Sequence, residues 1–120
     1  MTIPGLPTEA CEQLLAEIQK QPQVQRVVLY GSRALGRHRS GSDVDLCLVA
    51  NTMTLEQLLK LGARLDDLLL PWRIDLQLHH LITHEGLREH IKRAGVCLWK
   101  RNGGGVGPTS RGDTSGTEAW

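Results

Sequence analysis

The sequence predicts a small α/β or α+β domain, with helices packed on a short sheet. Two observations carry this reading. First, stretches with helical spacing of apolar residues alternate with short β-branched or period-two runs. Their order is helix, strand, strand, helix, strand, helix, and a short edge strand can follow. Second, the apolar residues are aliphatic: leucine supplies twenty of the 120 residues, aromatics only 3%, and there is no Phe. Such a core suits helices on a sheet better than a β-sandwich. The length bounds one domain, which buries roughly 65–70% of its unfolded surface.

Residues 1–7 hold two prolines and a glycine and read as a lead-in. Thr8 is placed to cap a helix whose stripe is Cys11, Leu14, Leu15 and Ile18, and Pro22 ends it. Val27-Val28-Leu29-Tyr30 is the first strand and stops at Gly31. A polar stretch broken by Gly36 and Gly41 follows, and Asp43 to Ala50 reads as the second strand. Thr54 with Gln57 forms a capping box before a leucine helix. Its expected stripe is Leu55, Leu58, Leu59, Gly62, Leu65 and Leu69, and Pro71 stops it. Arg73 to Leu78 alternates with period two as the third strand. Thr83 is placed to cap a last helix with Leu87, Ile91 and Ala94 inward, and Gly95 closes it before Val96 to Trp99.

The composition changes after Arg101. Six of the 13 glycines fall in 102–120 with Ser, Thr and Pro, so a domain over 1–101 and a flexible Gly/Ser/Thr-rich tail over 102–120 are expected. The formal net charge is +1, so no general basic field calls for direct nucleic-acid binding. Cys11, Cys47 and Cys97 match no metal or redox spacing, and no secretory leader or membrane span is evident. A reducing, cytoplasmic setting is therefore expected.

Three carboxylates carry the chemistry. Asp43 and Asp45, two apart on a strand, project from one face about 6.5–7 Å apart along the chain. Two such anions want a cation between them, and Mg²⁺ prefers carboxylate oxygens while keeping waters for substrate phosphates. If the second and third strands are neighbours, Asp75 joins the pair. Three carboxylates then suffice for two metal ions, which activate an attacking oxygen and stabilise a leaving phosphate. Gly31 and Ser32 follow the first strand directly, where backbone can approach a phosphate closely. Arg33, Arg37 and Arg39 come next, with guanidinium forks suited to a triphosphate. Each part has a blander reading alone: Gly-Ser as a turn, the arginines as a solvated loop, Asp75 as an edge-strand charge. The joint pattern raises the odds.

The segment GSRALGRHRSGSDVDLCLV resembles the signature of DNA polymerase β-type nucleotidyltransferases: Gly-Ser, ten residues, then Asp-x-Asp. LPWRIDLQL resembles the strand bearing the third carboxylate in their minimal (MNT-type) branch. The resemblance implies a small mixed sheet flanked by helices, and transfer of a nucleoside monophosphate, here AMP from ATP, to a hydroxyl. It implies that Asp43, Asp45 and Asp75 bind Mg²⁺, two ions being expected, and act in catalysis. Asp75 would also take the acceptor proton, and Gly31 and Ser32 would form the phosphate turn. Leu35 departs from the pattern, since many relatives carry a basic residue there; Arg37 or Arg39 would replace it.

Larger relatives add an acceptor-binding domain for which this chain has no room. The minimal branch implies instead a HEPN-type helical RNase toxin as partner, with this chain as the antitoxin that AMPylates it on a tyrosine. Two rivals stand beside that reading: a non-catalytic module that neutralises its partner by contact, and a nucleotidyltransferase for a small molecule such as an aminoglycoside. Other motifs are weaker. His84-Glu85 lacks a second His at 88, so it is no zinc-protease helix. His79, His80 and His84 read as surface polarity, Trp72 and Trp99 as packing, and Arg111-Gly112-Asp113 as chance.

Overall fold

The computed structural model describes residues 2–101. The glycine-rich segment 102–120, with its Arg-Gly-Asp tripeptide, lies outside them. The elements are α1 (Thr8–Gln19), β1 (Arg26–Tyr30), α2 (Ser32–Leu35), β2 (Val44–Val49), α3 (Leu55–Asp66), β3 (Ile74–Leu78), a 3-10 turn (His79–Leu81), α4 (Glu85–Ala94) and β4 (Val96–Lys100). The sheet order is β3-β2-β1-β4. β1 pairs antiparallel with both β2 and β4, whereas β2 and β3 run parallel, joined through α3. The sheet is thus mixed and flanked by helices, as expected.

Period-two alternation gives the sheet two unlike faces. Val27, Leu29, Leu46 and Leu48 join Leu14, Ile18, Leu58, Leu61 and Leu65 of α1 and α3 in the main core. Val28, Tyr30 and Cys47 face the other way and meet Ile82, Leu87 and Ile91. That second layer is short because α4 covers only part of the sheet. Further along the same face the residues are polar, and there the carboxylates stand.

Several local expectations need correction. Thr8 does not cap α1. Pro7 takes the N-cap position at φ −62° and ψ 150°, with no side-chain cap, because its fixed φ already suits the extended cap and its carbonyl receives the Cys11 N–H. His84, not Thr83, caps α4, its Nδ1 accepting the Leu87 N–H at 3.0 Å. The inward stripe of α3 is Leu58, Leu61 and Leu65; Leu59 and Leu69, expected inside, are 65% and 86% exposed. With leucines around the helix, spacing alone fits two stripes, and contact with β3 selects one. The Thr54–Gln57 capping box is present in both directions, at 3.1 and 2.9 Å.

Candidate active site

The sheet register assembles the site. Tyr30 on β1 pairs with Asp45 on β2, and Asp45 pairs with Asp75 on β3. Paired residues share a face, so the three side chains stand in a row, with neighbouring strands about 4.8 Å apart. Asp43 lies one residue before β2, not inside it as expected, and is exposed at the same end. The Tyr30 hydroxyl donates to Asp75 Oδ2 at 3.4 Å.

The electrostatics agree with this crowding. Burial lifts Asp45 above the ordinary carboxylate range, and the charges of Asp75 and Asp43 lift it further, while His90 opposes them. Burial, then the charges of Asp75 and Asp45, push the Tyr30 phenol well above its usual value. Tyr30 therefore keeps its proton and serves as a donor. Cys47, deeper on the same face, is pushed up to about 12, by burial against the opposing effect of Arg88. It remains a thiol packed in the layer under α4.

Gly31 ends β1 at φ 81° and ψ −158°, a conformation essentially reserved for glycine. A methyl group there would overlap the Asp45 carboxylate. The glycine therefore lets the turn pass directly beside the carboxylates. Its carbonyl accepts the Ala34 and Leu35 N–H groups at 3.1 Å, opening the one-turn helix α2 in a stretch where the glycine-broken sequence predicts only a connection.

Arg33 has a different place from the one expected. It is 1% exposed, and its guanidinium donates to the carbonyls of Pro4 (2.7 Å), Ser42 (2.9 and 3.3 Å), Ser40 (3.3 Å) and Arg39 (3.5 Å). The fork that suits phosphate is occupied by backbone. Trp72 Nε1 adds a bond to the Ser40 carbonyl at 3.1 Å. Together they hold the connection that leads into Asp43. Replacing Arg33 with Met should destabilise the chain by about 3 kcal/mol, since the four carbonyls that the buried guanidinium bonds lose their charged donor. Urea unfolding measures this. A weaker nucleotide affinity at unchanged stability would instead make Arg33 a phosphate contact. Arg37 and Arg39 are exposed on the connection, with no ion pair among the described residues, as is Leu35 at the end of α2.

One participant was missed in the sequence. His90 of α4 accepts the Gly31 N–H on Nε2 at 3.1 Å and meets the Tyr30 ring edge-on at 6.1 Å. Leu87, His90, Ile91 and Ala94 share a helical stripe, so a polar residue on an otherwise apolar face was the available signal.

The family description "Polymerase beta, Nucleotidyltransferase" matches residues 12–103. The chain belongs to this family. Among solved structures, this nucleotidyltransferase chain is similar to one described as a toxin-antitoxin with AMP-PNP, at 23% identity and TM-score 0.63, covering 81% of this chain and 76% of that one. A second is a tri-AMPylated Shewanella oneidensis HEPN toxin in complex with MNT antitoxin (20% identity, TM-score 0.58, covering 75% and 69%). A third is the toxin-antitoxin MntA-HepT (18%, TM-score 0.60, covering 79% and 74%). At these identities the likeness establishes the nucleotidyltransferase fold. A comparison with curated proteins finds no match. Among the described residues no helix is long and apolar enough to cross a membrane.

Proposed function

We propose that this nucleotidyltransferase moves AMP from ATP to a hydroxyl of a partner protein, and that the partner is a HEPN-type helical toxin which it neutralises. The observation that carries the reading is the register itself: Asp45 and Asp75 side by side on one face, with Asp43 just before β2, beside a turn that only glycine can make. The similarity to antitoxin structures, one with AMP-PNP and one with a tri-AMPylated toxin, supports the choice of nucleotide and acceptor.

Among the described residues, no three His, Cys, Asp or Glu side chains converge enough to enclose a metal ion. Magnesium does not need that, because it keeps several waters and takes one or two carboxylates plus substrate phosphates. The all-oxygen donor set fits it, and so do the burial and the charges of Asp75 and Asp43 that lift Asp45. Asp43 and Asp45 would hold it, with Asp75 beside them. Bound there, it would neutralise phosphate charge and favour the attacking oxygen.

The remaining steps belong to the chain. The Gly31-Ser32 turn seats the triphosphate, with Ser32 as the donor at its tip. Arg37 and Arg39 lie on the following connection, free to reach the outer phosphates. The acceptor oxygen attacks the α-phosphorus, its bond to the β-phosphate oxygen breaks, and pyrophosphate leaves. The acceptor proton passes to Asp75, whose carboxylate Tyr30 holds through its hydroxyl. A cytoplasmic setting accords with three cysteines that are all free thiols.

The test is incubation with labelled ATP and Mg²⁺, alone and with a HEPN-type helical protein. An AMP-sized mass increase on a partner tyrosine is expected. Complex formation without modification, with neutralisation surviving Asp43→Ala and Asp45→Ala together, would leave a contact-only module. Label on an added aminoglycoside and on neither protein would make it a small-molecule enzyme.

A further inference from the structure

The Gly31-Ser32 turn has two peptide groups to control, and the structure controls them from different places. The carbonyl of Gly31 is held from within α2, by the Ala34 and Leu35 N–H groups. Its N–H points the other way and is accepted by Nε2 of His90 at 3.1 Å. The same ring meets Tyr30 edge-on, at 6.1 Å and 76° between planes, and Tyr30 reaches Asp75 through its hydroxyl. One side chain from α4 therefore touches both the turn and the residue that steadies the third carboxylate. Leu87 and Ile91, on either side of it in the helical stripe, anchor α4 to Val28, Tyr30 and Cys47, which fixes the height of the ring over the sheet.

We infer that His90 is the positioning residue of the nucleotide site: it locks the Gly31 peptide so that the turn offers Ser32, not the Gly31 N–H, to the triphosphate. This rests on the nucleotidyltransferase reading above. Gly31 has no side chain and sits in a region open to glycine, and while α2 holds its carbonyl, the peptide that carries its N–H is restrained from outside the turn. The hydrogen bond to His90 is that restraint. Without it, the N–H of a half-buried residue loses its acceptor, and the turn loses its register with Asp45, which it approaches closely.

Two substitutions separate reach from polarity. In His90→Gln the side-chain carbonyl extends to where Nε2 sits and accepts the Gly31 N–H. In His90→Asn it ends near the Nδ1 position and falls short. Calorimetry with a non-hydrolysable ATP analogue and Mg²⁺, beside transfer kinetics and thermal unfolding, should show His90→Asn and His90→Ala binding about tenfold more weakly, with lower kcat. His90→Gln should stay within about threefold of wild type. The Gly31 amide resonance should move in the Asn and Ala variants and hold its place in Gln. Folded His90→Asn with wild-type affinity and kcat would overturn the inference alone. So would His90→Gln no better than His90→Asn. A wild-type chain that neither binds the analogue nor transfers nucleotide would overturn the nucleotidyltransferase reading, and this inference with it.

Discussion

Asp45→Asn should abolish nucleotide transfer, by about a thousandfold or more, and at the same time raise the melting temperature of the metal-free chain by a few degrees. Both effects have one cause. Asp45 has two carboxylate neighbours: Asp75, paired to it across the sheet, and Asp43, two residues before it. Burial and these two neighbours raise its folded pKa above the ordinary value. The folded state therefore binds the proton more tightly than the unfolded one. That stabilisation is fully present below the ordinary carboxylate value and is lost as pH rises through the raised one. At neutral pH the metal-free chain carries the unrelieved charge, and asparagine removes it with little change of shape. Without Mg²⁺, lowering the pH from neutrality should raise the wild-type melting temperature over the upper part of that window, before other carboxylates titrate. The rise should be absent in Asp45→Asn and smaller with Mg²⁺ present. Scanning calorimetry at several pH values, with and without Mg²⁺, measures this. An Asp45→Asn chain that melts lower than wild type would mean the carboxylate is held by donors, not strained by its neighbours.

Asp45 and Asp75 were legible in the sequence because each sits in a strand-like run and needed only neighbouring strands to stand side by side. The parallel pairing of β2 with β3 supplied them. Asp43 was less legible, since it lies just before β2, where strand periodicity no longer places it. Arg33 was not legible, because an arginine beside a Gly-Ser turn reads the same whether its fork meets phosphate or backbone. The difference lies in Pro4 and Ser42, far apart in sequence and brought together only by the fold. His90 escaped for a similar reason: its partner is a backbone N–H 59 residues away, which leaves no pattern in the letters. The face of α3 was ambiguous because leucines surround it, and only packing against the sheet chose Leu61 over Leu59.

Gly31→Ala should cost both stability and activity, and more of the second. Alanine at φ 81° and ψ −158° is strained by about 1–3 kcal/mol. Its methyl would also overlap the Asp45 carboxylate, so one of them has to move. The backbone cannot yield easily, because the Gly31 carbonyl opens α2 and its N–H is bonded to His90. Asp45 therefore has to turn away, out of its row with Tyr30 and Asp75. Urea unfolding should register a loss of about 2–3 kcal/mol, within the stability of a domain this size. Transfer should fall about a hundredfold or more in protein that remains folded, since a displacement near 1 Å at a reacting centre has that consequence. The double variant Gly31→Ala with Asp45→Asn decides whether the clash is the cause. If it is, the second substitution adds almost nothing to the loss of activity, because the carboxylate is already out of place. Additive losses would mean that glycine serves the turn alone, and that its closeness to Asp45 is incidental.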